Sequence, residues 1–418
     1  MGLLGILTIL LGVCGLFAVI NEKFLRLPLN IGLTLVAIVF GLIIILAHTL
    51  GIRIIILEEI AWLSNIDFSK ALMRGMLCFL LFAGAITVPS STLRAKKWSI
   101  IVLALLATTI AAFLIGLSAY GVFRLLGFSL PLAGALVFGA IISPTDPIAA
   151  IAILSPYGLP PKVETVINGE SLFNDGVGVV LFTTFIALSG QQEDTGPVLL
   201  FLREVVGGIT LGVVGGLVSV TLLRIISLNT TALLISLAAV SGCYTAGLAL
   251  GVSGPIATVV LGLVVGGHLE GRGADDTLAA GARDFWHLLD NILNAVLFVL
   301  LGLQILVLSW SETALLAMLL LIPLSLASRW LSVAASLGLL DIPRRHRVHH
   351  LGLVNLLTWT GMRGGLAVAL AMSLPAGPDR SILLTVTFGI VAFSILVQGL
   401  TIRTFFSPSL LRRISRTT

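Results

Sequence analysis

Four ionisable residues stand inside long apolar runs: Asp146, Glu170, Asp175 and Arg363. A charge at membrane depth is costly, so it faces a water-filled cavity, a partner or a transported ion. Asp146 lies in Ser143-Pro144-Thr145-Asp146-Pro147. Two prolines there break a helix where only a protein-lined cavity accepts the freed backbone groups, the Thr145 carbonyl among them. Glu170 and Asn174 lie four apart, as do Ser171 and Asp175, so each pair shares a helix face. Two carboxylates, a hydroxyl and an amide thus fall within about one and a half turns. All-oxygen ligands of this kind suit a hard cation such as Na⁺, by analogy with Ca²⁺ and Mg²⁺. Burial favours the protonated form of a carboxylate and a nearby cation favours the ionised form. A proton and a cation therefore compete for the same oxygens.

The candidate ion-binding groups are Asp175, Asp146, Ser171 and Thr145, the last through its carbonyl and its hydroxyl. Glu170 also reads as a structural partner for an intramembrane arginine, and Asp146 as the cap of a proline kink. Arg329 and Arg363 keep their protons, so they need acidic partners. We expect Arg329 to meet Glu170 and Arg363 to meet the broken helix that carries Asp146. Two arginines against three carboxylates leave one negative charge, which one monovalent cation or one proton neutralises.

The elements that position these residues follow from composition. The chain has 418 residues, 58% hydrophobic and 10% charged, with a mean hydropathy of +1.14. Soluble domains average about 25% charged residues, so this is an all-α polytopic membrane protein. About 20 apolar residues cross the ~30 Å hydrocarbon layer. On that criterion the spans are 2–20, 30–48, 71–88, 98–122, 130–154, 165–189, 201–224, 230–250, 254–270, 285–308, 313–339, 351–374 and 381–404, thirteen in all. The first reads as a transmembrane helix because it lacks a basic n-region and a cleavage site.

With the N-terminus outside, 16 basic residues fall in inside loops and 6 in outside loops, as cytoplasmic loops require. The net charge of +5 is thus a topology signal and not a nucleic-acid surface. It puts the C-terminus in the cytoplasm and the protein in the plasma or inner membrane. The fifth and twelfth spans are interrupted, one at 143–147 and the other at Gly361-Met362-Arg363-Gly364-Gly365. Seven spans apart, they cross in opposite directions. Paired broken helices in two inverted halves mark the midplane site of a transporter.

At these residues the chain resembles the monovalent cation/proton antiporters of the NhaP and sodium/proton exchanger type. Ser-Pro-Thr-Asp-Pro (143–147) and Gly-Glu-Ser-Leu-Phe-Asn-Asp (169–175) carry the resemblance. Phe285-Trp286 with Asn294, Phe298 and Gly302, then Arg329, then Trp359 to Gly365 continue it in family order. The resemblance implies a 13-helix inverted-repeat fold of the NhaA/NhaP kind. A core at about 71–189 and 285–404 would move against a dimerisation scaffold at about 1–48 and 201–270, followed by a short basic tail at 405–418. It implies ion binding by Asp175, Asp146, Ser171 and the Thr145 backbone, with Asn174 and Glu170 organising the site. It further implies electroneutral one-for-one exchange of Na⁺ (or Li⁺, or K⁺) for H⁺, and a homodimer. No cofactor is implied, since the cation is cargo, and the chain would end without a long regulatory tail.

Other features are read more plainly. Cys14, Cys78 and Cys243 are small buried hydrophobes at no metal-ligand spacing. His346, His349 and His350 sit in a basic loop, either as a pH sensor or as a solvated topogenic segment. Gly208, Gly212 and Gly216 make a close-packing face, for a second protomer or for a neighbouring helix. A channel would favour a repeated filter segment, which is absent from the sequence. An intramembrane aspartyl protease would use Asp146 and Asp175 as a dyad, but the flanking Thr145, Asn174 and the arginines suit ion coordination better.

Overall fold

A computed structural model of the chain describes residues 3–51, 68–190, 196–273, 276–340, 347–406 and 411. Among the described residues the chain is helical throughout, with one isolated β-bridge, Asp146 to Met362, and no strand. The helices are α1 Leu3–Ile20 and α2 Leu29–Thr49; α3 Leu77–Ile86 behind a short lead-in from Phe68; and α4 Ser90–Leu125, which holds a π-helical stretch at Val102–Ala107. Two half-helices follow, α5 Leu132–Ile142 and α6 Ile148–Leu154. Then come α7 Pro161–Gly190, α8 Pro197–Arg224, α9 Asn229–Leu250 and α10 Gly254–Gly271. Next are α11 Thr277–Leu303 and α12 Glu312–Leu339. A second pair of half-helices, α13 Arg347–Thr360 and α14 Gly365–Met372, precedes α15 Pro378–Phe393, which runs on to Phe405.

Ten helices among the described residues are long and apolar enough to cross a bilayer. The expected third, fifth and twelfth spans are instead assembled from shorter pieces, so length alone does not reach thirteen. The two interruptions fall where Pro144 and Pro147, and Gly361 and Gly364, stand in the chain. Helix α11 begins eight residues before its apolar run. Asp276 caps it there, its Oδ1 accepting the Ala279 N–H at 2.9 Å, which supplies one of the first-turn partners a helix lacks.

Packing inside the chain settles the glycine face of α8. A Cβ on Gly208 would lie 2.8 Å from the Ser253 carbonyl oxygen, and one on Gly216 would lie 2.7 Å from Val264 Cβ. One on Gly212 would overlap the Ala257 carbonyl. The stripe therefore seats α10 of the same chain, and its partner is intramolecular. Trp286, fully buried on α11, donates Nε1–H to Ser236 Oγ of α9 at 3.1 Å and packs on Phe82 of α3. The three cysteines are buried and free, as the sequence suggests. His346 lies outside the described residues, as do the side chains of His349 and His350.

Candidate ion site

The two interrupted segments cross each other. Asp146 N–H donates to Met362 O at 2.7 Å, which makes the β-bridge. Approach this close excludes a side chain opposite: a Cβ on Gly364 would lie 2.6 Å from both Cβ and Oδ2 of Asp146. Both helix ends of the first broken span meet a charge of the stabilising sign. Arg363 Nη1 donates to the Ser143 and Pro144 carbonyls at 2.7 and 3.2 Å, at the C-terminus of α5. Asp146 Oδ1 accepts the Ile148 N–H at 2.9 Å, at the start of α6. Arg363 is 4% exposed, and its N–H is taken by Ser394 Oγ at 2.9 Å. The expected contact of Arg363 with the broken helix is present, and it runs through carbonyl oxygens.

Helix α7 packs against this crossing. Ser171 Oγ donates to the Thr145 carbonyl at 2.5 Å. Asn174 binds the same residue twice, with Nδ2 to Thr145 Oγ1 at 2.8 Å and Oδ1 accepting Thr145 N–H at 3.3 Å. The Thr145 hydroxyl thus already accepts from Asn174, which leaves it one further lone pair. Asn174 Nδ2 also reaches Glu170 Oε1 at 3.0 Å. Glu170 Oε2 forms a 2.8 Å ion pair with Arg329 of α12, with both side chains almost wholly buried. The expected pair of Glu170 and Arg329 is thus formed. Asp175, one position beyond Asn174, has neither hydrogen bond nor ion pair among the described residues.

A cavity of about 520 Å³ opens beside Asp175 and Asp146. Ser171, Asn294, Asp290 and Glu164 also line it. Its rim includes Thr87 to Pro89, before α4, and Pro161, the first residue of α7, so it opens to one membrane face. Along α7 the lining residues Glu164, Asn168, Ser171 and Asp175 follow one helical stripe, about 16 Å from rim to floor at 1.5 Å per residue. This stripe runs along the cavity wall to two carboxylates and a hydroxyl.

A family model described as the transmembrane sodium/hydrogen exchanger matches residues 6–407. The chain belongs to the sodium/hydrogen exchanger family. Members of this family are transporters and not enzymes. The chain is 41% identical over 391 residues to the Na⁺/H⁺ antiporter NhaP of Pseudomonas aeruginosa, covering 93% of this chain and 92% of that one. It is 32% identical to the Na⁺/H⁺ antiporter NhaH of Halobacillus dabanensis, covering 91% and 92%. The fold matches that of the sodium proton antiporter MjNhaP1 from Methanocaldococcus jannaschii, with a TM-score of 0.75, 22% identity and coverage of 96% and 97%.

The exchanger also has carboxylates that no sequence pattern singled out. Glu164 and Asp290 line the cavity. Glu204 of α8 stands apart from it, held by the Thr183 hydroxyl at 3.1 and 3.2 Å. Asp290 did carry a signal: it precedes Asn294 by four residues, as Glu170 precedes Asn174. In both pairs the amide donates to the acid, at 3.0 Å each.

Proposed function

We propose that this exchanger swaps Na⁺ for H⁺ one for one, by alternating access at a site centred on Asp175. The observation that carries this reading is the unpartnered Asp175 carboxylate at the floor of the cavity, beside Asp146, Ser171 and the Thr145 backbone. Among the described residues no group of three or more His, Cys, Asp or Glu side chains converges to hold a metal. The cation is then held by two carboxylates with hydroxyl and carbonyl oxygens, a weak set that allows release. Asn174 cannot take up a proton, and Glu170 is committed to Arg329, so the exchanging proton falls to Asp175 with Asp146 as its neighbour. The relatives named above are sodium antiporters, which supports Na⁺ over K⁺ as the cargo.

The chain crosses the membrane thirteen times in this reading, as a homodimer in the plasma or inner membrane, with its N-terminus outside and its C-terminus in the cytoplasm. The crossing half-helices, α7 and α12 form the moving core. Helices α3 and α11 pack on α10 and α2, which supports placing both with the scaffold, although their positions in the sequence suggested the core. The cavity then lies between core and scaffold.

The test is reconstitution in proteoliposomes with an imposed pH gradient. Na⁺ should dissipate the gradient, and D175N should abolish that flux while the protein still inserts and purifies as a folded species. Sodium-dependent proton flux retained in D175N would overturn the assignment.

A further inference from the structure

Of the carboxylates that line the cavity, Asp290 alone belongs neither to α7 nor to the crossing. It lies on α11, one helical turn before Asn294, and both residues line the cavity. Asn294 Nδ2 donates to Asp290 Oδ1 at 3.0 Å. An ionised carboxylate only accepts hydrogen bonds, so it fixes which end of the Asn294 amide turns toward it. The amide oxygen is left without a donor among the described residues. The equivalent pair on α7 does a different task. There the acid is neutralised by Arg329 and the amide is spent on Thr145. Asp290 has no arginine or lysine partner among the described residues.

We propose that Asp290 is a positioning residue for the incoming cation. It holds the Asn294 oxygen toward the cavity and adds negative potential on the wall that stays behind when the core moves. This rests on the antiport reading above and on α11 belonging to the scaffold. In the conformation open to the cavity side, the cation entering toward Asp146 and Asp175 meets a third carboxylate and an amide oxygen. After the core has carried Asp175 away, that field no longer acts, and the cation leaves a site with fewer attractive groups. Asp290 therefore makes cation affinity differ between the two sides.

The experiment compares right-side-out and inverted membrane vesicles, with Na⁺ titrated from each side. D290N keeps an acceptor for the Asn294 amide, removes the charge, and adds a donor, so that it no longer fixes which end of that amide turns toward it. From the cavity side it should raise the apparent KM for Na⁺ roughly five- to tenfold, with Vmax within about twofold. From the opposite side the KM should move by less than about twofold, and D290E should restore the cavity-side value. If D290N fails to insert, D290S gives the same comparison with a hydroxyl in place of the charge. An unchanged KM, or an equal rise from both sides, overturns the role of Asp290. Absence of exchange in the unsubstituted protein would strike the antiport reading itself, so the two failures are distinguishable.

Discussion

At the scale of single residues, the candidate site separates the paired charge of Glu170 from the Asp175 carboxylate, which has no partner among the described residues and which the proposed exchange assigns to the cargo. Glu170 and Arg329 are buried together, and Arg329 Nε and Nη1 have no further partner among the described residues. Taking one member from such a pair leaves an uncompensated charge and costs about 3–5 kcal/mol. E170Q should therefore lower the thermal stability of the purified protein by several degrees. E170Q combined with R329M should recover part of that loss, because the stranded charge is gone. Stability of E170Q equal to that of the unsubstituted protein would mean that the ion pair contributes nothing. D175N should behave in the opposite way, losing exchange with little change in stability, since Asp175 has no partner to strand. The residue types made this division readable in advance. A carboxylate four residues from an amide, beside two intramembrane arginines, left few ways to balance the charge. The bond from Asn174 to the Thr145 hydroxyl was not legible, because the two residues lie 29 apart and no local pattern links them.

At the scale of elements, the crossing of two half-helix pairs does the positioning. Prolines at 144 and 147 and glycines at 361 and 364 announced both breaks in the sequence. That Gly364 is required by Asp146 itself emerges only when the segments are brought together. G364A should push Asp146 away from Met362 and cut exchange by roughly an order of magnitude or more, since small displacements at a site are costly. G242A makes the matched control. Gly242 is exposed on α9, and a Cβ added there would meet nothing within 4 Å. Alanine at that position should be neutral or gain up to about 1 kcal/mol from helix propensity. Equal exchange rates for G364A and the unsubstituted protein would refute the close-approach argument. Asp290 escaped notice for a reason at this same scale. Helix α11 opens with a polar flank that includes Arg283, Asp284 and His287. Asp290 reads as the tail of that flank until the structure places it on the wall of the cavity that Asp146 and Asp175 also line.

At the scale of the whole molecule, the question is how much charge moves with each cycle. In the proposed cycle Glu170 and Arg329 cancel, and Arg363 offsets one of Asp146 and Asp175, so one negative charge would travel with the core. Filled by Na⁺ in one direction and H⁺ in the other, it carries no net current. Asp290 would add a second negative charge, but the proposed scaffold includes α11, so that charge would stay with the wall that does not move. An imposed membrane potential should therefore leave both the rate and the final pH gradient unchanged. The contrast is large enough to decide. One net charge per cycle is worth about 2.3 kcal/mol per 100 mV, which, divided between the two protons of such a cycle, would shift the final gradient by roughly 0.85 pH units. A shift of that size would show that a second proton travels with each Na⁺, and repeating the measurement with D290N would then identify its carrier. Restored indifference to potential would assign the second proton to Asp290 and move α11 into the mobile core. A shift that persists in D290N would place the second proton on Asp146, which already shares the moving half of the site with Asp175.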